Sequence, residues 1–211
     1  MNPKPLRQVD VYGPAGRLEA LYRELQDPAA VAVVCHPLPT GGGTLHNKVV
    51  FRAARGLENA NVATLRFNFR GVGTSGGKFD NGDGEQDDVT AAIEWVKRKH
   101  PDKKLFVGGF SFGAWVATRV ACERTDVDAM FLIGTPINKY DFSYLQHCER
   151  PMLFIHGTQD EHGDAAKLEK LVQAIRNAES VTVTGADHFF TKQLEAVEET
   201  MRTWAEEVID A

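Results

Sequence analysis

The chain has 211 residues, of which 43% are hydrophobic and 25% charged, the balance of a globular chain read here as one domain, residues 1–211, able to bury about 70% of its unfolded surface. A formal net charge of −5 leaves no dominant basic face and argues against nucleic acid as the main ligand. The opening sixteen residues, MNPKPLRQVDVYGPAG, hold no apolar core of signal-peptide length, and no run of about 18 apolar residues exists to cross a bilayer.

In chain order, Leu6–Tyr12 and Arg17–Glu24 alternate around GPAG and predict an antiparallel hairpin. AVAVVC, Ala30–Cys35, reads as a strand buried on both faces. After the loop HPLPTGGG, Lys48–Asn59 carries Val49, Val50, Ala53, Ala54 and Leu57 at helical spacing. Further strands are expected at Asn61–Phe69, Lys104–Gly108, Val127–Ile133, Met152–His156 and Val181–Thr184. Helices are expected at Glu85–Lys99, Phe112–Arg124, Ala165–Asn177 and near Thr191–Ile209. Strands alternating with helices imply an α/β fold, a mostly parallel sheet covered by helices on both faces. Ligands of such sheets bind at the carboxyl ends of the strands.

Two segments fit G-x-S-x-G, the pattern of a hydrolase nucleophile turn: Gly73–Gly77 around Ser75 and Gly109–Gly113 around Ser111. The turn requires a strand running in, a helix leaving, and glycines that let backbone segments pass closely. Ser75 is followed by the glycine-rich, polar GGKFDNGDGEQ, whereas Ser111 stands between KKLFVGGF and FGAWVATRVACER. Ser111 is therefore the expected nucleophile and Ser75 a loop hydroxyl. A serine needs a base and an orienting acid, in the chain order Ser, Asp or Glu, His. His188, in VTVTGADHFF after the last strand, suits the base better than His147, His156 or His162. Asp160, four residues past a buried strand in FIHGTQDEHGD, suits the acid, while Asp164 reads as a helix cap. Donors to a developing oxyanion are expected from the backbone N–H groups of Phe112 and of Leu38, the latter between Pro37 and Pro39, which have none. Gly41–Gly43 are not followed by G-K-[ST], so no nucleotide loop is read. No cofactor or metal is expected. Cys35, Cys122 and Cys148, odd in number and without C-x-x-C spacing, are expected to be reduced thiols, as in a cytoplasmic protein.

HPLPTGGG, FNFRGVGTSGG, GGFSFGAW, HGTQDE and GADHFF together resemble the α/β-hydrolase superfamily from about residue 30 onward, and within it the small bacterial hydrolases related to dienelactone hydrolase. RGVGTSGG matches a frequent loop motif of that superfamily, beside the site. The resemblance implies Ser111, Asp160 and His188 as catalytic residues and the amides of Leu38 and Phe112 as oxyanion donors. Dienelactone hydrolases have a cysteine pattern at the nucleophile position; here it is Ser111. Fewer than twenty residues separate the strand ending near Ile133 from the one starting at Met152, room for a short helix but not a cap domain. Phe110, Tyr140 and Phe189 are candidate pocket walls, and Trp115 reads as core. An open site favours a small-molecule partner, a short-chain carboxylic ester. A thioesterase or peptidase with the same residues, and a non-catalytic binding protein on this fold, are the alternatives.

Overall fold

A computed structural model describes residues 6–211; the first five residues of the segment read above for a leader lie outside the described residues. Among the described residues the strands are β1 (Leu6–Gly13), β2 (Gly16–Arg23), β3 (Ala30–Cys35), β4 (Val62–Phe67), β5 (Lys104–Phe110), β6 (Ala129–Ile133), β7 (Met152–Gly157) and β8 (Ala178–Val183). They form one sheet in the order β1-β2-β4-β3-β5-β6-β7-β8. β1 and β2 make the expected hairpin, β2 joins β4 antiparallel, and every other pair is parallel. The helices are α1 (Lys48–Asn59), α2 (Asp83–Lys99), α3 (Phe112–Glu123), α4 (Ala165–Gln173) and α5 (Leu194–Asp210).

Side-chain alternation along the buried strands builds two cores. In β3, Val31, Val33 and Cys35 face α2, α3 and α4, while Ala30, Ala32 and Val34 face α1 and α5. β5 divides in the same way, with Leu105 and Val107 on the first face and Phe106 and Phe110 on the second. This explains why continuous apolar runs, not alternating ones, mark the central strands. Where α1 crosses α5, Gly56 lies against the backbone carbonyl of Glu198, so a Cβ there would collide with it.

Most element ends differ from expectation by one to four residues, and three of these shifts have clear local reasons. β4 starts one residue late because Asn61 takes a left-handed turn conformation, φ 60°. α4 stops at Gln173, and Ala174–Asn177 form a turn leading into β8. β8 begins at Ala178, earlier than Val181, because Ala178–Ser180 pair with β7 although Glu179 and Ser180 are exposed. On a sheet edge the hydrogen-bond ladder, not apolar patterning, defines the strand.

Between β6 and β7 there is one short helical turn, Ser143–His147, and no cap. Cys122 near the end of α3 and Cys148 just after that turn form a disulfide, while Cys35 is free and buried. This corrects the expectation of reduced thiols throughout. The two cysteines are 26 residues apart, a spacing with no local signature, and only packing of the β6–β7 connection on α3 brings them together. No helix among the described residues is long and apolar enough to cross a membrane.

Candidate active site

The parallel strands end in register, Cys35 beside Gly109, Phe110 beside Ile133 and Gly157 beside Val183. Loops following β3, β5, β7 and β8 therefore gather at one edge of the sheet. Ser111 stands between β5 and α3 with φ 56° and ψ −121°, a left-handed φ that costs a non-glycine residue about 1–3 kcal/mol. Its amide donates to the Ile133 carbonyl at 2.9 Å, and its carbonyl accepts the Ala114 amide at 3.0 Å, so strand and helix both hold the turn. The flanking glycines are required by contact. A Cβ on Gly109 would come within 2.5 Å of the Cys35 carbonyl oxygen, and one on Gly113 would strike the His36 carbonyl. The start of α3 thus abuts the end of β3 and the loop bearing Leu38.

Asp160 and His188 are joined by loops that lace together. The Thr158 amide donates to the Val183 carbonyl at 3.1 Å and the Gln159 amide to the Ala186 carbonyl at 2.9 Å. The Gly185 amide donates to Thr158 Oγ1 at 2.8 Å. His188 Nδ1 lies 2.9 Å from both carboxylate oxygens of Asp160, and His188 Nε2 lies 3.0 Å from Ser111 Oγ. All three side chains are buried, with Ser111 retaining 9% exposure. Burial pushes the Asp160 carboxyl up, but the hydrogen bond and charge of His188, the His162 amide and the charge of His156 outweigh it and hold its pKa below the usual carboxylate value. Asp160 is thus an ionised acceptor that orients Nδ1–H and leaves Nε2 facing the serine.

Of the two expected backbone donors, Phe112 opens α3, where first-turn amides have no intrahelical acceptor. The Leu38 loop is closed by the Gly41 and Gly43 amides, which donate to the Leu38 carbonyl at 3.1 and 3.0 Å. His36 braces its root. One ring nitrogen, Nδ1, bonds the Pro37 carbonyl at 2.7 Å and the other, Nε2, accepts the Phe69 amide at 3.0 Å. Burial lowers the His36 pKa from 6.5 to about 4, the bond to Pro37 only partly opposing it, so the ring is neutral with its proton on Nδ1.

Ser75 has a different occupation. Its hydroxyl accepts the Glu19 amide at 2.9 Å and donates to the Asn68 carbonyl at 2.8 Å, tying β2 to the loop after β4. Both hydroxyl bonding directions are used locally.

Phe110 is fully buried beneath the site, its ring 4.9 Å from that of His188. Phe189 is 51% exposed, with its ring 5.2 Å from His188. Tyr140 stacks on Trp115 at 4.3 Å and lies 6.0 Å from Phe112. Trp115 is only half-buried, packing against Gly82 and under the Arg119 guanidinium. Two neighbours were not anticipated. His162 sets its ring 4.6 Å from that of His188 and donates its amide to Asp160. His156 is buried with Nδ1 3.8 Å from Asp160 Oδ2. The spacing His156-x-x-x-Asp160 was the available signal, but its residue sits on a strand, where a histidine reads as core. No cluster suited to a metal ion occurs among the described residues.

The fold is shared with known proteins. A family model described as an alpha/beta hydrolase domain matches residues 30–211. The chain belongs to the α/β-hydrolase family. An uncharacterized protein of Rickettsia prowazekii is 39% identical over 199 residues, covering 89% of this chain and 84% of that protein. Among solved structures, an α/β serine hydrolase homologue of Coxiella burnetii is 34% identical, with TM-score 0.87 and coverage of 93% of this chain and 96% of that one. A lidless α/β serine hydrolase of Xanthomonas campestris is 36% identical, with TM-score 0.86 and coverage of 96% and 94%. This α/β hydrolase thus shares its capless architecture with the Xanthomonas protein.

Proposed function

We propose that this α/β hydrolase is a serine esterase that cleaves short-chain carboxylic esters through an acyl-enzyme. The continuous contact from Ser111 Oγ through His188 to Asp160 is the observation that carries this reading. Ser111 Oγ attacks the ester carbonyl carbon as His188 Nε2 takes the hydroxyl proton. The carbonyl oxygen becomes negative and is met by the Phe112 and Leu38 amides, while Asp160 stabilises the imidazolium without taking its proton. Collapse of the tetrahedral species breaks the bond to the alkoxy oxygen, to which His188 returns the proton. Water, deprotonated by His188, then attacks the acyl-Ser111 carbonyl, releasing the acid and restoring the serine. No cap shields the site, and the reading favours short acyl groups that need no tunnel to bury them.

The test is hydrolysis of p-nitrophenyl acetate by wild type and Ser111→Ala, with labelling by a fluorophosphonate and mass spectrometry of the labelled peptide. Ser111 should be the labelled residue, and Ser111→Ala should lose turnover while keeping its melting temperature. Undiminished turnover in the purified variant would refute the assignment. A folded wild type that neither labels nor turns over any ester would instead support a binding role.

A further inference from the structure

We propose that a cleft beside the Ser111–His188 pair recognises a carboxylate carried on the alcohol part of the ester. This rests on the esterase reading above and specifies its substrate class. The cleft holds about 380 Å³ and is lined in part by Gly42, His46, Lys48, Phe189, Thr191 and Leu194, a size that accommodates a small organic group. One wall continues the candidate oxyanion loop, since the Gly42 amide donates to the Pro39 carbonyl and the Gly43 amide to the Leu38 carbonyl. The other wall is Phe189, the residue after His188 and in ring contact with it.

Reaction geometry decides which half of the ester reaches this cleft. His188 must return a proton to the departing alkoxide, so the alcohol lies on the histidine side. That is the side on which Phe189 offers an exposed apolar face for the alcohol's carbon frame. Charge decides what the alcohol carries. Although the whole chain has a net charge of −5, the cleft lining includes Lys48 and His46 and no Asp or Glu. Lys48 makes no ion pair among the described residues, unlike Lys99 and Lys103. Asp187, two residues before Phe189, accepts the Thr191 amide at 2.9 Å; Glu195 follows Leu194 and Glu19 interacts with His46, but neither is among the lining residues. The first turn of α1 is already capped, with Asn47 Oδ1 accepting the Val49 amide at 2.9 Å. The attraction for an anion therefore comes from the Lys48 ammonium rather than from free helix amides.

The test compares the acetate ester of a hydroxynitrobenzoate with that of the matching hydroxynitrobenzamide, two chromogenic substrates of equal shape that differ in charge. Wild type should prefer the carboxylate about fivefold in kcat/KM at low salt, the upper range for one partly exposed ion pair. Lys48→Gln should bring the ratio close to one, Lys48→Glu should invert it, and raising the ionic strength should shrink it in wild type. Equal kcat/KM for the two esters in wild type, or a preference that survives Lys48→Gln, would overturn the proposal and leave the esterase reading standing. Failure to turn over either ester or p-nitrophenyl acetate would sink the esterase reading, and this inference with it.

Discussion

Acid should weaken this protein through His36, a residue that is not part of the proposed chemistry. The ring is fully buried, donates from Nδ1 to Pro37 and accepts the Phe69 amide at Nε2. Its pKa is about 4 in the folded chain against 6.5 as the ordinary value. Between those two values the unfolded chain binds a proton that the folded chain refuses, so stability falls as pH falls from about 6.5 and levels off below about 4. The proton-binding difference amounts to about 2 kcal/mol at pH 5 and about 3 kcal/mol at pH 4, a large share of a typical folding free energy. A proton forced onto Nε2 would also set two donors, the ring and the Phe69 amide, face to face, loosening the loop that carries Leu38. The assay is urea unfolding followed by tryptophan fluorescence at pH 7 and pH 5, for wild type and His36→Asn. The asparagine amide keeps the donor to Pro37 and does not titrate. It should cost about 1–3 kcal/mol at pH 7, because the Phe69 amide loses its acceptor. Its further loss between pH 7 and pH 5 should be smaller than that of wild type by about 2 kcal/mol. Parallel losses in the two proteins would refute the argument.

Other expectations follow from single contacts. Asp160→Asn should reduce kcat on p-nitrophenyl acetate by about 10³–10⁴-fold, because an amide donor at Nδ1 forces the proton onto Nε2, where Ser111 needs an acceptor; a loss below about tenfold would place the acid elsewhere. Ser75→Ala should cost about 1–3 kcal/mol in urea melts by leaving the Glu19 amide and Asn68 carbonyl without their bonds, while the folded enzyme still labels with fluorophosphonate. Gly56→Ala would improve helix propensity by about 1 kcal/mol on an exposed helix, yet here its Cβ would meet the Glu198 carbonyl and come within 2.8 Å of Met201 Cβ. It should therefore lower the melting temperature, with a net cost of about 1–3 kcal/mol, and a raised melting temperature would contradict the packing described.

Much of the architecture was legible because its signals are local. Lys48–Asn59 shows its helix through side chains three and four residues apart, and AVAVVC shows a doubly covered strand through the lack of any polar face. The choice of Ser111 over Ser75 also rested on neighbours, since a strand, two glycines and a helix surround only one of them. Edges were harder. Glu179 and Ser180 look like loop and are strand because β7 supplies the ladder.

What the sequence determined by itself was the alternation of strands and helices, the strained turn at Ser111, and the order in which a serine, an aspartate and a histidine follow separate strands. Tertiary structure alone decided which side chains meet. It set His188 against a serine 77 positions away, slid His156 and His162 in around Asp160, and joined Cys122 to Cys148. It also sank Phe110 beneath the site and opened a cleft between Lys48 and Phe189. Periodicity and turn chemistry act over a few residues and can be read along the chain, whereas these contacts exist only because parallel strands return distant loops to the same edge of one sheet.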